Sequence, residues 1–227
     1  MEKLLLLHGA IGAKYQLIPL ANILSDEYEV HSIDFFGHGH AADTGSAFSI
    51  PSFAEQVLGW LEGQGIDRIN IFGYSMGGYV GMWLAKYHPQ RINRLITLAT
   101  KFYWDATVAS NEIRFLDPAN IEQKLPAFAT GLQERHKQDW KTVLSKTTTM
   151  LIEMGNKNPL SLDDYTSINN TCLLLLGDRD KMITLDETVA VYKKLPSASF
   201  GMLPMTAHPI EQVNMNLLSF LIKQFLK

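Results

Sequence analysis

Short apolar runs that alternate with longer, helix-patterned segments constrain the fold of this chain more than any other feature. Glycine, proline or aspartate bounds each run, and the runs have the length of strands buried on both faces. This alternation predicts an α/β fold, with a mostly parallel sheet of about six strands and helices on both of its faces. The predicted strands are residues 3–7, 29–34, 68–72, 94–99, 171–176 and 198–203.

Between the predicted strands, apolar residues recur at the spacing of a helix face. Ser52 and Glu55 form a candidate capping box at the start of the second such helix. A chain of 227 residues with 46% hydrophobic content can bury one sizeable core, so we expect one domain over residues 1–227. The predicted helices are residues 15–24, 53–61, 76–87, 185–195 and 210–226.

Residues 101–168 break this alternation, because they contain no convincing buried strand and are too long for an ordinary loop. We expect a mostly helical insertion that lies over the sheet and closes a pocket. Its candidate substrate-binding residues are Phe102, Trp104 and Trp140. For most aromatic residues of the insertion, packing against the body of the protein is the favoured alternative.

The charge of the chain is nearly balanced, with a formal net charge of -3 at pH 7 and a pI near 6.2. No cationic field attracts nucleic acid or an anionic membrane surface, so neither is an expected partner. Three basic residues of the insertion, Arg114, Arg135 and Lys137, could bind a substrate carboxylate, although solvated surface is the expected role of each. The sequence does not determine the oligomeric state.

The apolar run at residues 4–7 ends at His8 and is shorter than the roughly 7 to 15 residues of an export signal. No other stretch approaches the roughly 20 apolar residues needed to cross a bilayer, so we expect a cytoplasmic protein. The lone cysteine, Cys172, lies in an apolar run and is expected to be an inert core residue. His38 and His40 lack a third clustered ligand, so we expect no metal. No cofactor is expected either.

The clearest chemical motif follows the third predicted strand, where residues 73–77 match the pattern G-x-S-x-G. A helix-patterned segment follows, and this strand–turn–helix setting is the one that exposes a nucleophilic serine. Gly73 and Gly77 allow the two arms of the turn to come close together, and Ser75 is expected in a strained backbone conformation. The N–H groups at the start of the helix suit a developing negative charge. We predict that Ser75 is the nucleophile.

A serine hydroxyl needs a neighbouring base, and the base needs a third group that fixes its tautomer. Both should follow later strands, because the carboxyl ends of parallel strands form one edge of the sheet. His208 follows the last predicted strand and is the candidate base. Asp178 and Asp180 both follow the strand before it, and their spacing does not decide between them. The order serine, aspartate, histidine is that of the enzymes with this kind of turn.

A tetrahedral intermediate also needs two N–H donors that point at its oxygen. The backbone N–H of Met76, directly after the serine, is one candidate. The second donor should come from the loop after the first strand, where we choose Ala10. Gly9 and Gly12 allow this loop to approach the substrate, and His8 is expected to hold it by hydrogen bonding.

Five segments together resemble the α/β-hydrolase superfamily, specifically its compact esterase-like members. They are residues 4–9, 34–39, 73–78, 174–180 and 207–209, in the order of that family. The resemblance implies that Asp180, the later aspartate of its Gly-x-x-Asp turn, is the catalytic acid, and that the insertion is a lid over the active site. It also shows two departures: the family's opening antiparallel strands are absent, since Met1 almost begins the first predicted parallel strand, and His208 follows alanine where glycine is common.

These features predict a serine hydrolase that cleaves a small carboxylic ester or thioester through an acyl-serine intermediate. The apolar side chains of the insertion suggest a substrate with an apolar moiety. Two other classes stay open on the same scaffold. One is a different enzyme, such as a lyase, a carbon–carbon bond hydrolase or an acyltransferase, and the other is a receptor that binds a ligand in the same pocket.

Overall fold

A computed structural model describes residues 1–136 and 139–227 of the chain. The strands are β1 (Glu2–Leu7), β2 (Tyr28–Ile33), β3 (Ile69–Tyr74), β4 (Ile92–Leu98), β5 (Thr171–Gly177) and β6 (Ala198–Leu203). The α-helices are α1 (Ile18–Leu24), α2 (Ile50–Gly63), α3 (Met76–Tyr87), α4 (Ala106–Ile113), α5 (Pro118–Lys124), α6 (Pro126–Arg135), α7 (Trp140–Asn156), α8 (Leu185–Lys194) and α9 (Met215–Leu226). Each predicted strand is present, and its boundaries differ by two residues at most.

The strands form one six-stranded sheet in the order β2-β1-β3-β4-β5-β6. Every strand pair in the described residues is parallel, which confirms the predicted sheet and the absence of antiparallel opening strands from it. Because the strands all run in one direction, their carboxyl ends lie at the same edge. Ser75, Asp180 and His208 all follow strands at that edge.

The leucines of β1 show how both faces of the sheet are covered. Leu4 and Leu6 pack in a cluster with side chains of α1 and α9, whereas Leu5 and Leu7 pack with side chains of α2 and α3. Successive side chains of a strand point to opposite faces. All four leucines are fully buried, so helices cover both faces, as predicted.

The start of α2 differs from the prediction. The helix begins at Ile50, and the Ser49 hydroxyl caps it by accepting a hydrogen bond from the Ser52 N–H at 3.1 Å. Ser52 is therefore inside the helix, and the predicted capping box of Ser52 with Glu55 is wrong. Pro51 does not delay the helix, because N–H groups of the first turn have no partner inside the helix and proline is tolerated there.

The last predicted helix, residues 210–226, is divided into two pieces. Ile210–Gln212 forms a short 3-10 helix, and α9 begins only at Met215. The Asn214 side chain caps α9 by accepting a hydrogen bond from the Leu217 N–H at 3.1 Å. A short polar side chain at this position competes with the backbone for its donors and so ends one helical piece and starts the next.

Between β4 and β5, the described part of residues 101–168 contains α4, α5, α6 and α7 and no strand, in agreement with the prediction. We call residues 101–168 the helical insertion. Its side chains Ile121, Leu132, Trp140 and Leu144 form a small apolar cluster of their own. Its role as a lid stays a prediction. Among residues 1–136 and 139–227, no helix is both long and apolar enough to cross a membrane.

Candidate active site

Ser75 lies on the tight turn between β3 and α3, with backbone angles φ 50° and ψ -116°. The positive φ is uncommon for a residue with a side chain, as expected for a strained nucleophile. A Cβ atom on Gly73 would lie 2.4 Å from the backbone of Gly77, and one on Gly77 would lie 2.4 Å from the carbonyl oxygen of Leu7. The turn therefore requires glycine at both positions, and Gly77 also allows close contact with the end of β1.

Hydrogen bonds hold both peptide groups of Ser75. Its N–H donates to the Leu98 carbonyl at 2.8 Å, and its own carbonyl accepts from the Thr100 hydroxyl at 3.1 Å and from the Gly78 N–H at 3.0 Å. In a trans peptide the C=O and the N–H point in opposite directions. Fixing the Ser75 carbonyl therefore also directs the Met76 N–H, the first proposed oxyanion donor.

Asp180 and His208 form a close pair, with His208 Nδ1 at 2.8 Å from Asp180 Oδ2. The Asp180 side chain is 1% exposed and that of His208 is 13% exposed. Burial acts to raise the pKa of Asp180, but its hydrogen bonds with His208 and with two backbone N–H groups outweigh it and lower this pKa below its ordinary value. The backbone donors are Met182 and Ile183, at 2.8 and 3.0 Å. An ionised Asp180 places the His208 proton on Nδ1 and leaves Nε2 as a base.

Asp178, the competing aspartate, has different partners. It is exposed, and its carboxylate accepts a hydrogen bond from the Thr206 N–H at 3.0 Å. The hydrogen bonds from the backbone N–H groups of Thr206 and Met205 lower the pKa of Asp178. Asp178 therefore connects the turn after β5 to the loop that leads to His208, and Asp180 is the aspartate that contacts the imidazole.

Tyr74 connects the serine turn to the histidine loop, a contact that the sequence did not predict. Its hydroxyl donates to the His208 carbonyl at 2.9 Å, and its ring lies 5.6 Å from the imidazole, centroid to centroid. Burial raises the pKa of Tyr74, so the phenol keeps its proton and stays a donor. The hydrogen bonds among the described residues do not include one between Ser75 Oγ and His208 Nε2.

The loop after β1 carries the second proposed oxyanion donor, the Ala10 N–H. The Gly9 carbonyl in the same peptide group accepts from His8 Nδ1 at 2.8 Å and from the Gly12 N–H at 3.1 Å. His8 Nε2 accepts from the Phe35 N–H at 3.1 Å, which fixes a neutral tautomer. Burial lowers the pKa of His8 to about 4, so it stays neutral near pH 7. His8 thus holds the loop by hydrogen bonding, as expected.

The predicted substrate contacts differ in accessibility. Phe102 and Trp140 are 3% and 8% exposed and lie in apolar clusters, which favours a packing role for both. Trp104 is half-buried, and its indole N–H donates to the Lys101 carbonyl at 3.3 Å. Trp104 therefore has the most surface available to a ligand, and substrate contact by any of the three stays a prediction.

The basic residues of the helical insertion also have distinct positions. Arg114 is exposed to solvent. Arg135 is only 13% exposed in its side chain and binds the Ile11 carbonyl and the Tyr15 hydroxyl. Lys137 lies outside the described residues. The guanidinium of Arg135 is thus already occupied by protein partners.

In the described parts of the chain, no group of three or more His, Cys, Asp or Glu side chains is arranged to hold a metal ion. Three imidazoles lie close together: the ring centroid of His38 is 5.3 Å from that of His8 and 5.8 Å from that of His136. Both nitrogens of His8 and of His136 already have hydrogen-bond partners. Burial raises the pKa of the Cys172 thiol to about 12, which makes it unreactive.

Comparison with known proteins gives one family. The family model described as alpha/beta hydrolase fold matches residues 3–210. The chain is 36% identical over 99 residues to a pimeloyl-[acyl-carrier protein] methyl ester esterase of Aliivibrio salmonicida, a match that covers 43% of this chain and 35% of that protein. An esterase of the same name from Aliivibrio fischeri is 26% identical over 235 residues, covering 97% and 84%. Three of the curated relatives are matched over only 35%, 49% and 37% of their length.

The fold is also similar to that of a thermophilic esterase from Thermogutta terrifontis. The TM-score is 0.80 over 100% of this chain and 89% of that chain, at 21% sequence identity. This likeness concerns the fold, whereas the family match extends along most of the sequence and includes the serine turn and the aspartate and histidine loops. The chain belongs to the alpha/beta hydrolase fold family.

Proposed function

We propose that this protein is a serine hydrolase that cleaves a small carboxylic ester or thioester. The observation that carries the proposal is the pair of Asp180 and His208, 2.8 Å apart at the sheet edge where the strained Ser75 lies. An ionised carboxylate on Nδ1 makes Nε2 of the imidazole basic, and Ser75 is the hydroxyl on the neighbouring turn.

In the acylation step, His208 Nε2 takes the proton of the Ser75 hydroxyl while Oγ attacks the carbonyl carbon of the ester. The negative charge that develops on the carbonyl oxygen is stabilised by the N–H groups of Ala10 and Met76. Asp180 stabilises the imidazolium. The intermediate then collapses, the bond to the alcohol or thiol breaks, and the leaving group takes the proton from His208.

In the deacylation step, His208 takes a proton from water, and the resulting hydroxide attacks the acyl-serine carbonyl. The same two N–H donors stabilise the second tetrahedral intermediate. Its collapse releases a carboxylic acid and returns the proton to Ser75.

Two observations support an ester with an apolar moiety as the substrate. Relatives that match this chain include enzymes named as methyl ester esterases. The loop of the second proposed oxyanion donor also presents the partly buried apolar side chains of Ala10 and Ile11, which pack against the main core cluster, as does Trp104 of the helical insertion. A cytoplasmic location stays a prediction of the sequence.

Turnover of p-nitrophenyl esters of increasing acyl length tests the proposal. Ser75→Ala and His208→Ala should each lower kcat by about four to six orders of magnitude, because the catalytic groups act as a unit. Ser199→Ala, which removes an exposed hydroxyl from β6, is the matched control and should retain wild-type kcat. Mass spectrometry of the wild-type products should show the free acid and the alcohol.

Near-wild-type hydrolysis by Ser75→Ala would refute the proposed nucleophile. An acyl group transferred to a second alcohol in preference to water would identify a transferase, and ligand binding without turnover would identify a receptor.

A further inference from the structure

We propose that Arg135 and His136, at the end of α6, are positioning residues that hold the oxyanion loop from the helical insertion. The oxyanion loop is defined as residues 9–12. This inference rests on the proposed function, because it concerns the N–H of Ala10 as an oxyanion donor. Through these two residues, the position of the helical insertion would determine the geometry of the proposed oxyanion hole.

Both residues bind the same acceptor. Arg135 Nη1 and His136 Nε2 each donate to the Ile11 carbonyl oxygen at 3.0 Å. Ile11 directly follows Ala10 in the chain. The carbonyl thus has two side-chain donors from an element that lies more than 100 residues away in sequence.

Ile11 needs such support because its backbone is strained. Its φ is 50°, in the left-handed region that is disfavoured for a β-branched residue. If the two donors are removed, Ile11 can return to a negative φ. The Ile11 carbonyl shares its peptide group with the Gly12 N–H, which donates to the Gly9 carbonyl at 3.1 Å. Turning this peptide group breaks that hydrogen bond and releases the Gly9–Ala10 peptide group, which carries the Ala10 N–H.

His136 acts as a bridge with a defined tautomer. Its Nδ1 accepts a hydrogen bond from the Gly39 N–H at 2.9 Å, so the proton is on Nε2, the atom that donates to Ile11. His136 is 1% exposed. The imidazole therefore joins the loop after β2 to the oxyanion loop in a site closed to solvent.

Arg135 extends the connection in the opposite direction. Its Nε donates to the Tyr15 hydroxyl at 3.2 Å, and Nη2 lies 3.9 Å from Glu211 Oε1. Glu211 is three residues after His208 and also accepts from the Gln16 side chain at 2.5 Å. One guanidinium thus contacts the oxyanion loop, the segment that follows it and the segment after the proposed base.

The test compares Arg135→Met, His136→Leu and the conservative His136→Gln with wild type. Lys124→Met is the matched control, because it removes an exposed cation from α5. With p-nitrophenyl esters, we expect Arg135→Met and His136→Leu to lower kcat about 10- to 100-fold while KM stays within about twofold. The affinity for phenylboronic acid, which forms a tetrahedral adduct on serine, should fall by the same factor as kcat/KM. Glutamine can accept and donate as His136 does, so His136→Gln should retain most of kcat.

Hydrogen–deuterium exchange of the backbone amides of residues 9–13 measures how firmly the loop is held in the absence of substrate. The exchange rate should be at least tenfold higher in Arg135→Met and His136→Leu than in Lys124→Met. Unchanged exchange in both variants overturns the inference, and so does a raised KM at constant kcat, which would indicate substrate contact. If no ester is hydrolysed, the proposed function fails separately, and loop exchange still decides whether Arg135 and His136 hold the loop. Melting curves identify a variant that does not fold, in which case the other variant decides.

Discussion

At the scale of single residues, Ser75 adopts a conformation that its own backbone disfavours. A residue with positive φ costs about 1–3 kcal/mol, and each hydrogen bond contributes about 0.5–1.5 kcal/mol. The bonds from Ser75 to Leu98, Gly78 and Thr100 are together large enough to offset that cost. The proposed nucleophile is thus held by the end of β4 as well as by its own turn.

The pair of aspartates after β5 gives a prediction at this scale. Asp180→Asn should lower kcat by about 10³- to 10⁴-fold, because an amide no longer fixes the tautomer or stabilises the imidazolium of His208. Asp178→Asn keeps an oxygen that can accept from the Thr206 N–H, so kcat should stay within about threefold. Initial rates with a p-nitrophenyl ester measure both. A larger loss in Asp178→Asn would mean that the catalytic acid has been misassigned.

The sequence could place Ser75 and His208 at the carboxyl edge of the sheet because each follows a strand in a recognisable local pattern; their catalytic roles stay predictions. Tyr74 and Thr100 have no such pattern. Thr100 reaches Ser75 because β3 and β4 are neighbours, whereas Tyr74 reaches the His208 loop because both lie at the carboxyl edge of the sheet, although β3 and β6 are not neighbours. Nothing in the sequence around Thr100 indicates that its hydroxyl donates to the carbonyl of Ser75. Residues of this kind need the strand order to be known.

At the scale of elements, strand positions could be predicted because apolar runs mark strands buried on both faces. Helix ends were less predictable, since Ser49 and Ser52 are both good caps and differ only in whether the helix includes Pro51. The structure selects Ser49, and the earlier start brings Ile50 into the helix, where its side chain is buried together with Phe53 and Val57. Packing of the whole helix therefore decides between two local signals of similar strength.

The observed cap gives a prediction of stability. Ser49→Ala should lower the free energy of unfolding by about 1 kcal/mol, the usual contribution of an N-cap hydroxyl. Glu55→Gln should leave this free energy within about 0.5 kcal/mol of wild type, because Glu55 has no part in the observed cap. Urea denaturation followed by circular dichroism measures both changes. An equal loss in the two variants would contradict the assignment of Ser49 as the cap.

At the scale of the whole molecule, the fold brings three distant histidines into one buried group. His8 follows β1, His38 follows β2, and His136 belongs to the helical insertion. Their proximity depends on β1 and β2 being neighbours and on the insertion folding back over them. The sequence places His8 and His38 in separate loops, and nothing local relates either of them to His136.

This group predicts how stability depends on pH. Burial lowers the pKa of His8 and of His136 to about 4, whereas both imidazoles titrate near 6.5 in an unfolded chain. Between these pH values the unfolded state binds more protons than the folded state. The free energy of unfolding therefore has its full value above about pH 6.5 and decreases as the pH falls toward 4. The slope is about 1.4 kcal/mol per pH unit for each extra proton bound. Urea midpoints from pH 7 to pH 4.5 measure it, and His136→Gln should reduce the slope. A flat profile would contradict neutral burial of these histidines.

The pairing of β4 with β5 has a consequence for how enzymes of this design could diversify. Arg94 to Leu98 lie in unbroken parallel register beside Thr171 to Leu175. The chain therefore leaves the sheet at the carboxyl end of β4 and rejoins it at the amino end of the adjacent strand β5, four residues or about 13 Å along the strand direction. A crossover segment between adjacent strands can be lengthened, shortened or replaced without changing the pairing of the two strands that it joins. Substrate specificity could therefore be changed by exchanging the helical insertion between homologues, provided that each insertion also supplies its own hydrogen-bond donors for the carbonyl of residue 11.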